Sequence, residues 1–314
     1  MIVILTGGTG GAKFVDALKQ LLPARKLALI VNTGDDLEWW GLHVSPDLDS
    51  IMYVLAGMLS KDRGWGVDGD TFECVEAVRR MGAPAWFRVG DRDLATHLTR
   101  AQLLASGRTL SEATAEIAAA LEVQSRILPM SDARVETRVT TPEGELSFQE
   151  YFVRERYRPE VRGVRFVGAE QASPAPGVLE AIKSAEAVVL APSNPITSIG
   201  PILAVPGIRE ALKKTAAPVA AISPIVGGAA VSGPAGALMA SQGLPVSIAG
   251  VAQAYADFLD LLIVDERDAK AAEELRLSGL QVHCEQTIMK TADEKAALAA
   301  TVLELVTRSA ARAG

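Results

Sequence analysis

Cysteine and histidine are scarce in this chain of 314 residues, which holds two of the first (Cys74 and Cys284) and three of the second. Two cysteines alone build neither a disulfide framework nor a cysteine-ligated zinc site. Such sparing use suits a reducing compartment. No apolar run approaches the roughly 20 residues needed to span a bilayer. The opening MIVILTGGTGG has no basic start and no extended apolar stretch, so no secretory leader is expected. An excess of positive charge is also missing. Lysine and arginine number 31 against 38 acidic residues, a net charge of −7, which argues against nucleic acid as a partner. An anionic small ligand would need local cations or a metal against that background. The expectation is a cytoplasmic chain with neither membrane nor nucleic acid as partner.

What is present is ordinary for a folded protein. Apolar residues are 49% and charged residues 22%, which excludes wholesale disorder. The length allows one large domain or two modest ones. Ile2-Val3-Ile4-Leu5 reads as a buried parallel strand. It runs into a glycine-dense turn, Thr6 to Gly11, and then into helical spacing at Phe14, Val15, Leu18, Leu21 and Leu22. Leu27 to Val31 is a second apolar run, which completes a βαβ unit. Ala187–Leu190, Val219–Ile222 and Leu261–Val264 repeat the theme, each ending in a polar or glycine/proline loop.

These runs predict an α/β, Rossmann-like fold whose mostly parallel sheet is flanked by helices. The core covers about 1–57 and 173–314 of one α/β domain. Residues 58–172 read as a mainly helical insertion, with helices at 70–81, 93–105 and 111–121. A β-hairpin is expected within 134–153, around Pro142-Glu143-Gly144. Ligands of open α/β sheets gather at the carboxyl ends of the strands. Loops 6–13, 32–49, 191–200, 223–236 and 265–268 are therefore expected along one edge.

Several motifs in those loops suit phosphate and metal chemistry. In Thr6-Gly7-Gly8-Thr9-Gly10-Gly11-Ala12-Lys13, missing Cβ atoms let backbone N–H groups approach an anion at a helix N-terminus, and Lys13 adds a full charge. The spacing is neither a P-loop nor GxGxxG. Asn32-Thr33-Gly34-Asp35-Asp36 ends the second strand where an acidic residue holds a ribose in dinucleotide-binding folds, a role open to Asp35 and Asp36, as is contact with a metal or polar ligand; a solvated turn is the plainer alternative. Ser45-Pro46-Asp47-Leu48-Asp49 has the form of a helix start, with Ser45 as N-cap and Pro46 at the first helical position. Asp47 and Asp49 either complement the helix dipole or hold magnesium, which prefers oxygen ligands.

Gly90-Asp91-Arg92-Asp93 opens another helix, and Arg92 offers a bidentate clamp for phosphate or carboxylate. His97 on that helix reads as structural. Ser193, Asn194 and Thr197 lie in a rigid, proline-flanked loop, where an asparagine amide is suited to reading a base edge. Arg267 of Asp265-Glu266-Arg267-Asp268 is placed to stack on a base or meet phosphate, with an N-cap network as the alternative.

TGGTGGAK, VNTGDD, SPDLD, GDRD, LPMSD, FQEYFV, VRGV, APSNPITSIGP, ISPIVGGAAVSGPAG and DERD occur in that order across nearly the whole chain. In this the sequence resembles the 2-phospho-L-lactate transferase family of deazaflavin coenzyme F-420 biosynthesis. The resemblance implies an enzyme that joins a phosphorylated carboxylate unit to 7,8-didemethyl-8-hydroxy-5-deazariboflavin. The donor is linked through guanosine diphosphate, of a lactyl, enolpyruvyl or glyceryl kind; GMP leaves, and Mg²⁺ is required. A homodimer is implied as well. The resemblance puts Asp49 and Arg92 against the deazaflavin and the TGGTG turn against the donor phosphates.

Expected roles follow from residues and resemblance together. Asp47 and Asp49 hold Mg²⁺, and one of them accepts the hydroxyl proton. Thr6, Gly7, Gly8, Thr9, Gly10 and Lys13 hold the diphosphate, joined by Asn32 and Asp36. Ser193, Asn194 and Thr197 select the base, Arg92 orients a reactant, and Arg267 meets the nucleotide. Two readings compete. A related branch binds UDP-sugars as a non-catalytic regulator and shares the glycine turn and the SNP loop. A nicotinamide oxidoreductase is disfavoured by the missing GxGxxG.

Overall fold

The computed structural model describes residues 1–313. Strand β1 (Ile2–Thr6), helix α1 (Gly8–Leu21) and strand β2 (Leu27–Val31) form the expected opening unit, with β1 and β2 paired in parallel. A short hairpin, β3 (Leu37–Trp39) and β4 (Leu42–Val44), leads to α2 (Pro46–Leu55). Then come α3 (Glu73–Arg80), α4 (Asp91–Ala105), α5 (Leu110–Ala120) and β5 (Arg126–Pro129). β6 (Glu136–Thr141), β7 (Gly144–Ser147) and β8 (Gly163–Val167) make a separate antiparallel sheet that contains the expected hairpin.

The second half returns to alternation: α6 (Val178–Lys183), β9 (Ala187–Leu190), α7 (Ile199–Ala204), α8 (Ile208–Lys214) and β10 (Val219–Ile222). After a small ribbon, β11 (Ile225–Val226) and β12 (Ala229–Ala230), follow α9 (Ala235–Ser241), α10 (Ile248–Tyr255), β13 (Leu261–Asp265), α11 (Ala269–Leu277), β14 (Gln281–Glu285) and α12 (Ala292–Ala313).

Seven parallel strands build the central sheet in the order β14-β13-β10-β9-β1-β2-β5. Alternation along β1 explains its two covered faces. Val3 and Leu5 join one apolar cluster with residues of α6 to α11, while Ile2 and Ile4 join another with residues of α1, α2, α5 and α12. The stretch 58–172, which the sequence suggests is an insertion into the core, contributes one strand to the central sheet. β5 pairs with β2 as the edge strand, and Ile127 and Leu128 are buried. Its four residues are too short an apolar run to stand out in the sequence. No helix among the described residues is long and apolar enough to cross a membrane.

The strand order fixes where a ligand fits. From β1 the chain winds outward through β2 to β5, then crosses to β9 on the other side of β1 and winds out to β14. The direction reverses between β1 and β9, and the loops after these two strands part to leave a crevice. Those loops are the glycine turn and the Ser193–Thr197 segment.

Candidate active site

A cleft of about 670 Å³ opens at this switch point. Gly7, Gly8, Thr9, Gly10 and Lys13 line it from the first loop, and Ser193, Asn194, Thr197 and Ser198 from the second. The two loops interlock. Ser193 Oγ donates to the Gly7 carbonyl at 2.6 Å and accepts from Gly7 N–H. Gly10 is required by this contact, because a Cβ there would lie 2.3 Å from the Pro192 carbonyl oxygen. Thr9 and Lys13 are exposed, whereas Thr6 is buried beneath the turn with its Oγ1 unpartnered. Thr6 thus supports the turn rather than facing the cleft. Asn194 spends its Oδ1 on the N–H of Ile196 at 2.9 Å, which leaves its amide NH₂ for a ligand.

Carboxylates gather beside the glycine turn. Asp47, in the first turn of α2, accepts from Gly8 N–H at 2.7 Å and from Asn32 Nδ2 at 2.9 Å. Asn32 also donates to the Thr197 carbonyl and accepts from Gly34 N–H. It is fully buried, so it braces three loops instead of touching a ligand. Asp35 lines the cleft and carries an unpartnered, buried Oδ1. Burial, then the charge of Asp47, pushes the Asp35 carboxyl well above the usual carboxylate range. Burial raises Asp47 to about 6, against the opposing pull of its Asn32 and Gly8 hydrogen bonds.

Asp36 is the one of the pair expected from sequence, but it turns away from the cleft. It accepts from His43 at 2.9 Å and from Ser45 Oγ. Ser45 does precede α2 as expected, yet its hydroxyl serves Asp36 instead of the helix N–H groups. Burial of His43 opposes its protonation, and the Asp36 carboxylate outweighs that and raises its pKa.

Asp49 was expected to share a metal with Asp47. The structure gives it a different partner: both oxygens are taken by the guanidinium of Arg100, with Nη1 at 3.1 Å from Oδ2 and Nη2 bonded to Oδ1. Arg100 is fully buried. Burial opposes its charge, but Asp49 more than compensates and holds its pKa high. His97 lies alongside, with Nδ1 3.5 Å from Asp49 Oδ2 and Nε2 3.4 Å from Asp93 Oδ1. Tyr53 donates to Asp93 at 2.7 Å. The sequence holds the signal for this group: Asp93, His97 and Arg100 repeat at helical spacing on α4, facing Asp49 and Tyr53 one turn apart on α2.

Arg92 does not face the cleft. The buried face of α4 carries Asp93, Thr96, His97 and Arg100, which leaves Arg92 exposed, donating to the Asp68 carbonyl at 3.3 Å. The carboxylates of this region act as caps. Asp91 accepts from the N–H groups of Glu73 and Cys74 at the start of α3. Asp70 accepts from those of Arg92 and Asp93 at the start of α4. Gly90 is needed where they cross, since a Cβ there would lie 2.1 Å from Asp70 Oδ2. The arginine that does line the cleft is Arg88, whose guanidinium lies 4.2 Å from the Phe72 ring centroid.

Arg267 is likewise displaced. Its side chain is 60% exposed and outside the cleft lining. Its acidic neighbours brace loops instead. Asp265 accepts from Thr287 N–H and Oγ1, both at 3.2 Å, and Asp268 accepts from Gly227 N–H. Of the five loops expected along one edge, 265–268 thus supports the rim without lining it. Thr287 to Lys290, after β14, line the cleft in its place and carry no recognisable motif.

Part of the cleft wall is aromatic. Trp65, Trp86, Phe87, Phe148 and Phe152 line it. Trp86 packs edge-on against the buried Trp39 of β3 at 4.8 Å between centroids. The cleft therefore combines backbone N–H groups and carboxylates with flat rings, which suits a phosphorylated reactant beside an aromatic one.

Magnesium prefers hard oxygen donors. Among the described residues no three histidine, cysteine, aspartate or glutamate side chains group as metal ligands. Asp35 and Asp47 nevertheless fit a hard cation completed by phosphate oxygens: two adjacent buried carboxylates, one oxygen without a donor, and protonation favoured in the cation's absence.

The sequence matches the family described as 2-phospho-L-lactate transferase CofD over residues 2–304. It is 47% identical over 310 residues to a Streptomyces griseus protein named phosphoenolpyruvate transferase, covering 97% of this chain and 98% of that one. It is 42% identical over 305 residues to a Methanosarcina mazei 2-phospho-L-lactate transferase, covering 96% and 99%. The fold is similar to that of a solved Bacillus halodurans protein of the UPF0052 family, with a TM-score of 0.63, 17% identity, and 96% and 98% coverage.

Proposed function

Because the chain belongs to the 2-phospho-L-lactate transferase family, whose members act in coenzyme F-420 biosynthesis, we propose a specific reaction for this transferase. It moves a phospholactate-type unit from a guanosine diphosphate-linked donor to the terminal ribityl hydroxyl of 7,8-didemethyl-8-hydroxy-5-deazariboflavin. GMP leaves. The P–O bond to the new ester forms as the P–O bond to GMP breaks, and the hydroxyl proton passes to a base.

The observation that carries this reading is the pairing of the interlocked glycine turn with the flat-ring wall in one cleft. The N–H groups at the start of α1 and the charge of Lys13 hold the diphosphate. Asp47 is fixed against Gly8 beside that turn. It is the carboxylate of the site that stands against the diphosphate end, placed to take the hydroxyl proton. Mg²⁺, held by Asp47 and Asp35 in this reading, would neutralise charge on the transferring phosphoryl group. Asn194 and Thr197 select the nucleotide base, and Arg88 takes over from Arg92 at the acceptor. The rate enhancement then rests on positioning and charge neutralisation.

The names of the relatives include both phosphoenolpyruvate and 2-phospho-L-lactate transferases. The proposed transferred unit is accordingly a three-carbon phosphorylated carboxylate. Mass spectrometry of the product from deazaflavin with lactyl, enolpyruvyl and glyceryl donors tests the reading. A new phosphodiester in one of the three supports it. Binding of UDP-N-acetylglucosamine with no product from any donor would favour the non-catalytic regulator instead. The family reading also carries a homodimer, for which light scattering should give the mass of two chains.

A further inference from the structure

One wall of the cleft is made by α2 and α4. Asp47 and Tyr53 are six residues apart on α2, about 9 Å along the helix axis at 1.5 Å per residue. That stretch is the length of a short polyol chain. Asp49, Tyr53, Asp93 and His97 line it.

Two polar atoms here are left without partners. His97 is 2% exposed, and its Nε2 makes no hydrogen bond. Asp93 is 7% exposed. Its Oδ1 accepts from Tyr53, while its Oδ2 accepts from nothing among the described residues and lies 3.9 Å from where a Cβ of Gly66 would stand, next to Trp65 in the cleft wall. Arg100 Nη1 faces His97 Nδ1 at 3.5 Å. Arginine only donates, so a hydrogen bond there makes Nδ1 the acceptor and puts the ring proton on Nε2, although Asp49 Oδ2 stands equally close to Nδ1 at 3.5 Å. A buried donor without a partner and a carboxylate oxygen open to the cleft thus stand close together, and leaving the buried one unpaired is costly unless something bound in the cleft completes it.

Of the polar groups a flavin-like acceptor carries, the hydroxyl is the one that donates and accepts through a single atom. A ring carbonyl only accepts and a ring N–H only donates. We infer that Asp93 and His97 form a hydroxyl-reading pair for the ribityl chain of the acceptor, with Asp93 Oδ2 accepting the O–H and His97 Nε2–H donating to the same oxygen. Tyr53 and Arg100 are positioning residues. Tyr53 fixes Asp93, and burial together with the charges of Asp49 and Asp93 keeps its phenol protonated as a donor. Arg100, neutralised by Asp49, fixes the imidazole. The pair rests on the proposed acceptor and adds to it a specificity for hydroxyls in the middle of the chain.

The test is a set of variants assayed against two acceptors. Asp93→Asn should raise the KM for deazariboflavin about tenfold or more, as for a lost hydrogen bond to a charged group. The donor KM and the melting temperature should hold. His97→Leu should do the same, and His97→Gln, which restores a donor, should recover most of the loss. A deazaflavin with methyl in place of the ribityl chain should bind wild type and Asp93→Asn equally, read by quenching of tryptophan fluorescence. An unchanged acceptor KM, a parallel rise in donor KM, or a deficit that persists with the methyl compound overturns the pair. If Asp93→Asn fails to fold, the two His97 variants decide. If wild type makes no product at all, the transferase reading fails, and fluorescence titration of deazariboflavin still tests the pair.

Discussion

Asp47 sits where burial and hydrogen bonding pull its proton in opposite directions, and burial wins. Its folded-state pKa of about 6 lies above the ordinary 3.8. The native state therefore binds this proton more tightly than the unfolded chain does. The resulting stabilisation is complete below about pH 4 and is lost as pH rises through about 6. A shift of that size corresponds to roughly 3 kcal/mol. Without divalent cations, the melting temperature should fall between pH 5 and pH 7, and Asp47→Asn should flatten the fall. Magnesium chloride should raise the melting temperature more at pH 7 than at pH 5; an equal rise at both would count against a cation on Asp35 and Asp47. Arg100 poses the opposite problem, a charge that cannot be removed alone. Arg100→Met leaves Asp49 buried and uncompensated and should cost about 3–5 kcal/mol in urea unfolding. Replacing both residues by apolar ones should cost much less.

At the scale of elements, the site depends on loops that touch through backbone. Gly10→Ala would set a Cβ against the Pro192 carbonyl. It should cost about 1–3 kcal/mol of stability by overpacking and raise the donor KM more than the acceptor KM. A melting curve and a kinetic pair check both. The same contact shows what the sequence makes legible. The glycine turn, the β1 and β9 runs and the start of α2 stand out because each has a local signature in glycine, proline or continuous apolar residues. Asp35 rather than Asp36, and Arg88 rather than Arg92, do not stand out. Which of two nearby residues faces a cleft depends on packing, here the Asp36–His43–Ser45 contacts and the buried face of α4. Arg267 lies outside the cleft for a similar reason: its acidic neighbours turn inward to hold the Thr287 and Gly227 loops. The Thr287–Lys290 rim lacks any local signature and becomes visible only once β14 is placed beside β13.

Across the whole molecule, the reversal of strand order between β9 and β1 brings together loops nearly 190 residues apart, as the Ser193–Gly7 contact shows. That reversal makes one cleft serve two reactants. Its phosphate-binding part is built from backbone and needs the fold intact; its aromatic part hangs on α3, α4 and the hairpin near Trp39. The central claim is that a diphosphate held at the glycine turn is broken by the acceptor's alcohol. Stoichiometry of GMP release in a single turnover tests it most directly. One GMP per deazaflavin modified, none without deazaflavin, and none from Asp47→Asn is the predicted result. GMP release that ignores deazaflavin, or nucleotide binding with no release at all, would contradict it.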